Sequence, residues 1–123
     1  MTVVHIRKHF KFEAAHALPH HTGKCSRMHG HSYRLEAALQ GPLHESGVAQ
    51  GMVEDFDVIS QIVREAVIEP LDHTCLNDFL PNPTAELIAQ WIWERLQPKI
   101  PGLFEVVLWE TATACAVVHA AAR

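Results

Sequence analysis

Two stretches in the first third of the chain alternate between apolar and polar residues, as half-buried strands do. In residues 3–14 the apolar positions include Phe10 and Phe12, which lie two apart with a charged residue between them. Residues 29–40 alternate again around Tyr33 and stop before a Gly-Pro pair. We therefore expect two strands that pair as a hairpin.

The apolar period becomes helical in the second half of the chain. A first helix is predicted from Phe56, with Asp55 or Asp57 as its N-cap and Pro70 marking its end. A second helix is predicted after Thr84, whose side chain can cap it. The two apolar stripes consist of Phe56, Ile59, Ile62, Val63, Ala66 and Val67, and of Leu87, Ile88, Trp91, Ile92 and Leu96.

Residues 104–110 and 115–121 are mostly apolar, and they predict two closing strands. The resulting order, ββααββ, predicts a single α+β domain over residues 1–123, in which two helices cover one face of an antiparallel four-stranded sheet. Such a sheet keeps two open edges, and open edges invite pairing with other chains. We therefore expect a homo-oligomer built by continuation of the sheet.

Composition and charge argue against several classes of function. The formal net charge is -4 without a run of Lys or Arg, so neither nucleic acid nor an anionic membrane is an expected partner. The N-terminus lacks a secretory layout, and Glu110 and His119 interrupt the most apolar tract, so no membrane span is expected. Three cysteines without a CxxC pair fit reduced thiols and a cytoplasmic location.

Histidine is enriched, with ten residues in 123, and spacing decides which of them matter. His29 and His31 are two apart in a predicted strand and point to one face, with Gly30 leaving room between them. His16 ends the preceding strand, where a hairpin would bring it alongside. Three imidazoles with an open fourth position are typical of catalytic zinc, although copper, nickel and iron accept the same ligands. The alternative is a chance HxH pair in a histidine-rich chain.

Cys25 lies four residues before His29, in a loop that must pass near the metal if His29 binds it. Neighbouring basic residues and a cation would favour the thiolate, which makes Cys25 a candidate proton acceptor. The alternative is a small buried apolar residue, the usual state of a free cysteine. We assign Cys75 and Cys115 to that second class.

Asp72, His73 and Glu110 are further candidates for chemistry. An aspartate beside a histidine can fix its tautomer and raise its basicity, whereas the alternative is a turn after the helix with Asp72 as a local cap. Glu110 stands in an otherwise apolar predicted strand. Its carboxylate either ends the strand in solvent or binds an N–C–N edge of a heterocycle in a bidentate manner.

Five short motifs follow each other along the chain: Phe12-Glu13-Ala14-Ala15-His16, Cys25-Ser26-Arg27-Met28-His29-Gly30-His31, Leu71-Asp72-His73 with Leu76-Asn77, Asn82-Pro83-Thr84-Ala85-Glu86, and Trp109-Glu110-Thr111. Together they closely resemble the 6-pyruvoyl-tetrahydropterin synthase / 6-carboxytetrahydropterin synthase family, from about Phe10 to about Thr113. The resemblance implies a tunnelling fold (T-fold), whose subunits join their sheets around a β-barrel, commonly as a hexamer of two stacked trimers. It also implies an active site between subunits.

The resemblance further implies a role for each matching residue. The zinc ligands would be His16, His29 and His31, the catalytic acid/base residues Cys25, Asp72 and His73, and the substrate contacts Glu110 and Thr84. Zinc would hold the side-chain hydroxyls of 7,8-dihydroneopterin triphosphate and acidify the carbon-bound protons beside them. Glu110 would anchor the 2-amino and N3 edge of the pterin. Ala17 departs from the basic residue that is frequent in relatives, so the phosphate contacts are expected to differ.

The three-residue gap between Cys25 and His29 resembles the bacterial 6-carboxytetrahydropterin synthase branch. This implies a lyase that forms 6-carboxy-5,6,7,8-tetrahydropterin, triphosphate and acetaldehyde, on the route to queuosine and other 7-deazapurines. One alternative is a 6-pyruvoyl-tetrahydropterin synthase, which would keep the three-carbon side chain. Others are a zinc- or pterin-binding module without turnover and a hydrolase that uses zinc hydroxide.

Overall fold

The computed structural model describes residues 2–121, which form one mixed sheet and two helical stretches. The strands are β1 (Val4–His16), β2 (His29–Gly41), β3 (Thr74–Cys75), β4 (Leu103–Trp109) and β5 (Cys115–His119). The helical segments are α1 (Phe56–Val63), a π-helical segment (Arg64–Ile68), α2 (Glu69–Leu71) and α3 (Ala85–Leu96), with 3₁₀ turns at Lys24–Ser26 and Leu76–Asp78.

The sheet has five strands in the order β3-β1-β2-β4-β5, one more than the sequence predicted. The predicted hairpin is confirmed: β1 and β2 pair antiparallel along their whole length, with Phe12 opposite Tyr33. The additional strand, β3, runs parallel to β1 beside Ala14 and Ala15. The prediction of four antiparallel strands is wrong here because a two-residue strand carries no periodic signal and forms only by pairing with β1.

The first helical stretch begins at Asp55, whose side chain accepts a hydrogen bond from the Asp57 N–H. It passes Pro70 and ends only at Leu71. Pro70 cannot donate to the carbonyl of Ala66, four residues earlier, because proline has no N–H. The Arg95 Nε–H donates to that carbonyl instead, at 2.6 Å. The wider π-helical turn and this side-chain donor explain why the helix continues through the proline.

The second helical stretch begins where the sequence predicted. The Thr84 hydroxyl accepts a hydrogen bond from the Leu87 N–H at 3.2 Å, which is the expected N-cap. Ile88 and Ile92 are buried against the sheet, whereas Leu87, included in the predicted stripe, is largely exposed. Leu87 lies in the first turn of α3, on the side of the helix that faces away from the sheet.

One face of the sheet and both helical stretches share a single hydrophobic core. Alternate residues of β1 and β2 point into it, and the residues between them are mostly exposed. The buried side chains include Phe12, Tyr33, Leu35, Leu108, Ile59, Ile88 and Ile92. The helices therefore cover one face of the sheet, as predicted. Within residues 2–121, no helix is both long and apolar enough to cross a membrane.

Candidate metal centre

Three histidines meet at the end of the β1–β2 hairpin, on the face that the helices cover. His16 is the last residue of β1 and lies directly opposite His29, the first residue of β2. His31 lies two residues further along β2 and therefore points to the same face as His29. The ring centroids are 4.5 to 5.0 Å apart. One ring nitrogen from each residue lies within 4.8 Å of the other two, so one ion can reach all three.

Backbone carbonyls orient two of these imidazoles. The Nδ1–H of fully buried His16 donates to the Pro83 carbonyl at 2.8 Å, and the Nδ1–H of His29 donates to the Arg27 carbonyl at 2.7 Å. Because a carbonyl can only accept, Nδ1 must carry the proton in both rings. The Nε2 atoms of the neutral rings are then lone-pair donors, as metal ligands require.

The chemistry of this cluster fits a metal ion. The Nε2 atoms of His16 and His31 are buried and have no hydrogen-bond partner among the described residues. Burial lowers the pKa of His31, against the opposing charge of Glu110, and the neighbouring His16 and His29 lower it further. The neutral imidazole that binds a metal is therefore favoured. Three nitrogen ligands are a donor set that suits zinc.

Glu110 follows β4 and reaches the same cluster. Its Oε1 atom lies 3.2 Å from the Nε2 of His16 and 3.4 Å from the Nε2 of His31. Beneath the cluster lies Tyr33, a buried residue that belongs to the core. Burial, and to a smaller extent Glu110, raise the pKa of the Tyr33 hydroxyl, which therefore stays neutral.

The Cys25 thiol is not part of the histidine cluster within residues 2–121. Cys25 lies in the 3₁₀ turn of the loop that joins the two histidine-bearing strands, and it is half-buried. Its carbonyl accepts a hydrogen bond from the Leu18 N–H at 2.9 Å, which ties the two sides of the loop together. The structure thus places Cys25 on the loop between the ligands without bringing its sulfur among them.

Asp72 and His73 lie at the β3 edge of the sheet. The Asp72 carboxylate accepts a hydrogen bond from the Glu13 N–H at 2.8 Å, and its other oxygen lies 3.6 Å from the His73 Nε2. His73 has a left-handed backbone with φ 59°, and its side chain is mostly exposed. His73 and His31 both line an open cavity of about 580 Å³. His73 therefore shares this cavity with one residue of the cluster and faces solvent, whereas Asp72 is held against β1.

The sequence assigned Thr84 to the substrate, but it did not reveal that Pro83 and Asn77 support the ligand His16. The Thr84 hydroxyl caps α3, and the Pro83 carbonyl before it holds His16. Asn77 binds the residue after His16 at two points: it accepts from the Ala17 N–H and donates to the Ala17 carbonyl, both at 2.9 Å. Both residues stand in the motifs quoted above, but their roles depend on contacts across the fold.

The comparisons with known proteins agree on one family. A family model described as 6-pyruvoyl tetrahydropterin synthase matches residues 5–121. The chain is 46% identical to the 6-carboxy-5,6,7,8-tetrahydropterin synthase of Synechocystis sp., over 90% of this chain and 89% of that protein. It is 33% identical to the protein of the same name from Haemophilus influenzae, over 88% and 93% of the two chains.

The fold is also shared with a solved structure. The 6-pyruvoyl tetrahydropterin synthase of Caenorhabditis elegans superposes with a TM-score of 0.85 at 23% identity, over 98% of each chain. The arrangement of sheet and helices is therefore the T-fold that the sequence predicted.

Proposed function

The chain belongs to the 6-pyruvoyl tetrahydropterin synthase family, and we propose that it is a zinc-dependent 6-carboxytetrahydropterin synthase. This carbon–carbon lyase converts 7,8-dihydroneopterin triphosphate to 6-carboxy-5,6,7,8-tetrahydropterin and releases acetaldehyde and triphosphate. The observation that carries the proposal is the cluster of three imidazoles whose ligand atoms can reach one ion, two of them, the Nε2 atoms of His16 and His31, buried without a hydrogen-bond partner among the described residues. The product would enter the cytoplasmic synthesis of queuosine and other 7-deazapurines.

His16, His29 and His31 would hold the zinc, with Pro83 and Arg27 fixing two of the rings by their carbonyls. When bound, the ion would act as a Lewis acid on the side-chain hydroxyls of the substrate and acidify the carbon-bound protons beside them. The remaining steps fall to residues of the protein, which must orient the pterin and move protons.

Cys25, Asp72 and His73 would move these protons. Cys25 lies on the loop that joins the two ligand-bearing strands, from which it would act on a substrate held at the metal. The Asp72 carboxylate lies 3.6 Å from the His73 Nε2 and would orient that imidazole. His73 is mostly exposed, which suits a residue that completes the site of a neighbouring subunit.

Glu110 and Thr84 would bind the pterin ring. A carboxylate can accept two parallel hydrogen bonds from the 2-amino and N3 positions, and this pairing selects a pterin over rings that lack the N–C–N edge. Thr84 adjoins the cluster through Pro83. The Thr84 backbone is already paired within the fold, and its hydroxyl oxygen accepts the cap bond from the Leu87 N–H. The hydroxyl can therefore offer the ring its O–H as a donor and its second lone pair as an acceptor.

The proposed assembly is a homohexamer of two stacked trimers. The sheet ends in β5 on one side, and β3 covers only Ala14 and Ala15 on the other, so most of β1 presents a free edge. Pairing of these edges between copies would continue the sheet into a barrel and bring Asp72 and His73 next to another subunit's metal.

The test is mass spectrometry of the products after zinc-loaded protein is incubated with 7,8-dihydroneopterin triphosphate. We expect 6-carboxytetrahydropterin together with acetaldehyde. A pyruvoyl product would instead assign the chain to the pyruvoyl-forming synthases. Loss of triphosphate without rearrangement would indicate a hydrolase, and no turnover with zinc bound would indicate a binding module.

Two variants separate the roles of the site residues. Cys25→Ala should abolish product and leave the zinc content unchanged, because the thiol is not among the ligands. His29→Ala should lower the zinc content measured by atomic absorption, with exposed His44→Ala as the matched control. Full retention of zinc by the His29 variant would refute the metal site, and unaltered turnover by the Cys25 variant would refute its role.

A further inference from the structure

We propose that Glu110 is the fourth ligand of the metal while no substrate is bound, so that the resting site is closed. The proposal rests on the metal site proposed above and gives Glu110 a second role beside pterin recognition. The Glu110 carboxylate would leave the metal when it binds the pterin ring. Recognition of the ring would thereby open the coordination position that the substrate hydroxyls need.

The position of the carboxylate oxygen agrees with a shared coordination shell. Oε1 lies 3.2 Å from the Nε2 of His16 and 3.4 Å from the Nε2 of His31. Two ligand atoms of a tetrahedral zinc, each bonded at roughly 2.0–2.1 Å, are separated by about 3.3 Å. The oxygen therefore lies where a ligand atom would lie if it bound the same ion as the two nitrogens.

Hydrogen bonding does not explain this arrangement. Both Nε2 atoms are buried and have no hydrogen-bond partner among the described residues, although Oε1 is within contact distance of each. The oxygen thus lies off the axis along which either nitrogen would form a hydrogen bond. In His16 the proton is on Nδ1, which donates to Pro83, so Nε2 presents a lone pair to the carboxylate. Two electron-rich atoms at this distance repel each other unless a cation lies between them.

The Glu110 side chain is free to change partners. Its backbone is fixed, since the Glu110 N–H donates to the Ala114 carbonyl at 3.1 Å and closes the turn between β4 and β5. No hydrogen bond ties its carboxylate to the buried Nε2 atoms of His16 and His31, and a quarter of the side chain is exposed. Rotation of the side chain can therefore move the carboxylate between the metal and a ligand in the open space beside it.

The test compares zinc affinity in the unaltered protein and in Glu110→Gln, using a competing chelator. A neutral amide is a poor zinc ligand, so we expect the affinity to fall at least about tenfold. The absorption spectrum of the cobalt-substituted protein should change as well, because one carboxylate oxygen is replaced. Glu94→Gln on the exposed side of α3 removes the same charge and should alter neither property.

A measurement on the unaltered protein tests the proposal independently of any folding defect in the variant. If Glu110 fills the fourth position, the electron paramagnetic resonance of cobalt-loaded protein should not broaden in ¹⁷O-enriched water. Broadening from bound water, or a Glu110→Gln variant with unchanged affinity and spectrum, would overturn the proposal and leave Glu110 a ring anchor only. Failure of the metal site itself would be seen separately, as full zinc content in His29→Ala.

Discussion

The orientation of the ligand imidazoles depends on main-chain carbonyls that belong to loops. Pro83 precedes α3 and holds His16, while Arg27 precedes β2 and holds His29. Partners of this kind fix the tautomer and the ring plane of a metal ligand, and their loss commonly weakens metal binding. A side-chain substitution cannot remove a backbone carbonyl. Mutations can therefore disturb the orientation of the ligands mainly by removing side chains that hold the nearby backbone in place.

Asn77 is the side chain that fixes the backbone directly after His16. Asn77→Ala removes both of its hydrogen bonds to Ala17 and leaves the Ala17 N–H and carbonyl unpaired in a half-buried place. We expect zinc affinity to fall about tenfold and the free energy of unfolding to fall by about 1–3 kcal/mol. Chelator competition and urea denaturation measure the two effects.

Asn77→Asp is the matched control for this prediction. The aspartate keeps an acceptor for the Ala17 N–H but cannot donate to the Ala17 carbonyl. Its effect should be intermediate between those of the wild type and the alanine variant. An alanine variant that loses stability but binds zinc normally would show that Asn77 is structural only.

The first helical stretch shows how a side chain of one element can repair the backbone of another. Pro70 leaves the Ala66 carbonyl without its regular donor, and Arg95 of α3 supplies one while its guanidinium lies 4.7 Å from the centre of the Trp91 ring. The contact crosses from α3 to the π-helical segment. The stability of the first stretch therefore depends on an exposed residue of the second.

Arg95→Ala should lower the free energy of unfolding by about 1–2 kcal/mol, because the Ala66 carbonyl loses its donor. The same change in a Pro70→Ala background should cost less, since replacement of the proline restores a backbone N–H that can serve that carbonyl. Urea denaturation of the two single variants and the double variant gives the coupling energy. Additive effects would contradict the compensation between Pro70 and Arg95.

At the level of secondary structure, the sequence predicts the regular elements well and the irregular ones poorly. The predicted strand over 29–40 differs from β2 by a single residue, because apolar residues recur at every second position from Tyr33 to Leu39 and give a strong periodic signal. The strand β3 and the continuation of the helix through Pro70 carry no such signal. Each depends on a partner distant in sequence, namely β1 for the strand and Arg95 for the helix.

The same contrast holds for the candidate site. Spacing alone placed His29 and His31 on one face, and the hairpin placed His16 beside them. The approach of Glu110 to this cluster depends on the pairing of β4 with β2, which places the end of β4 near the histidines. No local pattern encodes that distance. The catalytic roles of Cys25, Asp72 and His73 stay predictions.

At the scale of the whole molecule, β5 forms one edge of the sheet, and its outer side has no neighbouring strand among residues 2–121. The Glu110 N–H donates to the Ala114 carbonyl, and the Ala120 N–H donates to the Phe104 carbonyl. Even-numbered residues of β5 therefore direct their backbone groups towards β4, since hydrogen-bonded positions alternate along an antiparallel pair. The N–H of Val117, by the same alternation, faces the free edge.

Val117→Pro should weaken assembly without breaking the pairing of β4 and β5, because it removes an N–H only from the free edge. We expect a smaller particle by light scattering after gel filtration, and a loss of turnover if neighbouring subunits complete the site. Val117→Thr keeps the N–H and serves as the control. An unchanged particle size in the proline variant would contradict assembly through this edge.

The opposition of His16 and His29 across the hairpin has a consequence for how such chains diverge. An insertion of one residue within either strand would turn the ligands beyond it to the opposite face, because side chains alternate along a strand. Residues 17–28 lie outside the paired strands and are under no such constraint. Descendants of this chain can thus lengthen or shorten the loop that carries Cys25 and explore new reactions, while the histidine scaffold is inherited with its length fixed.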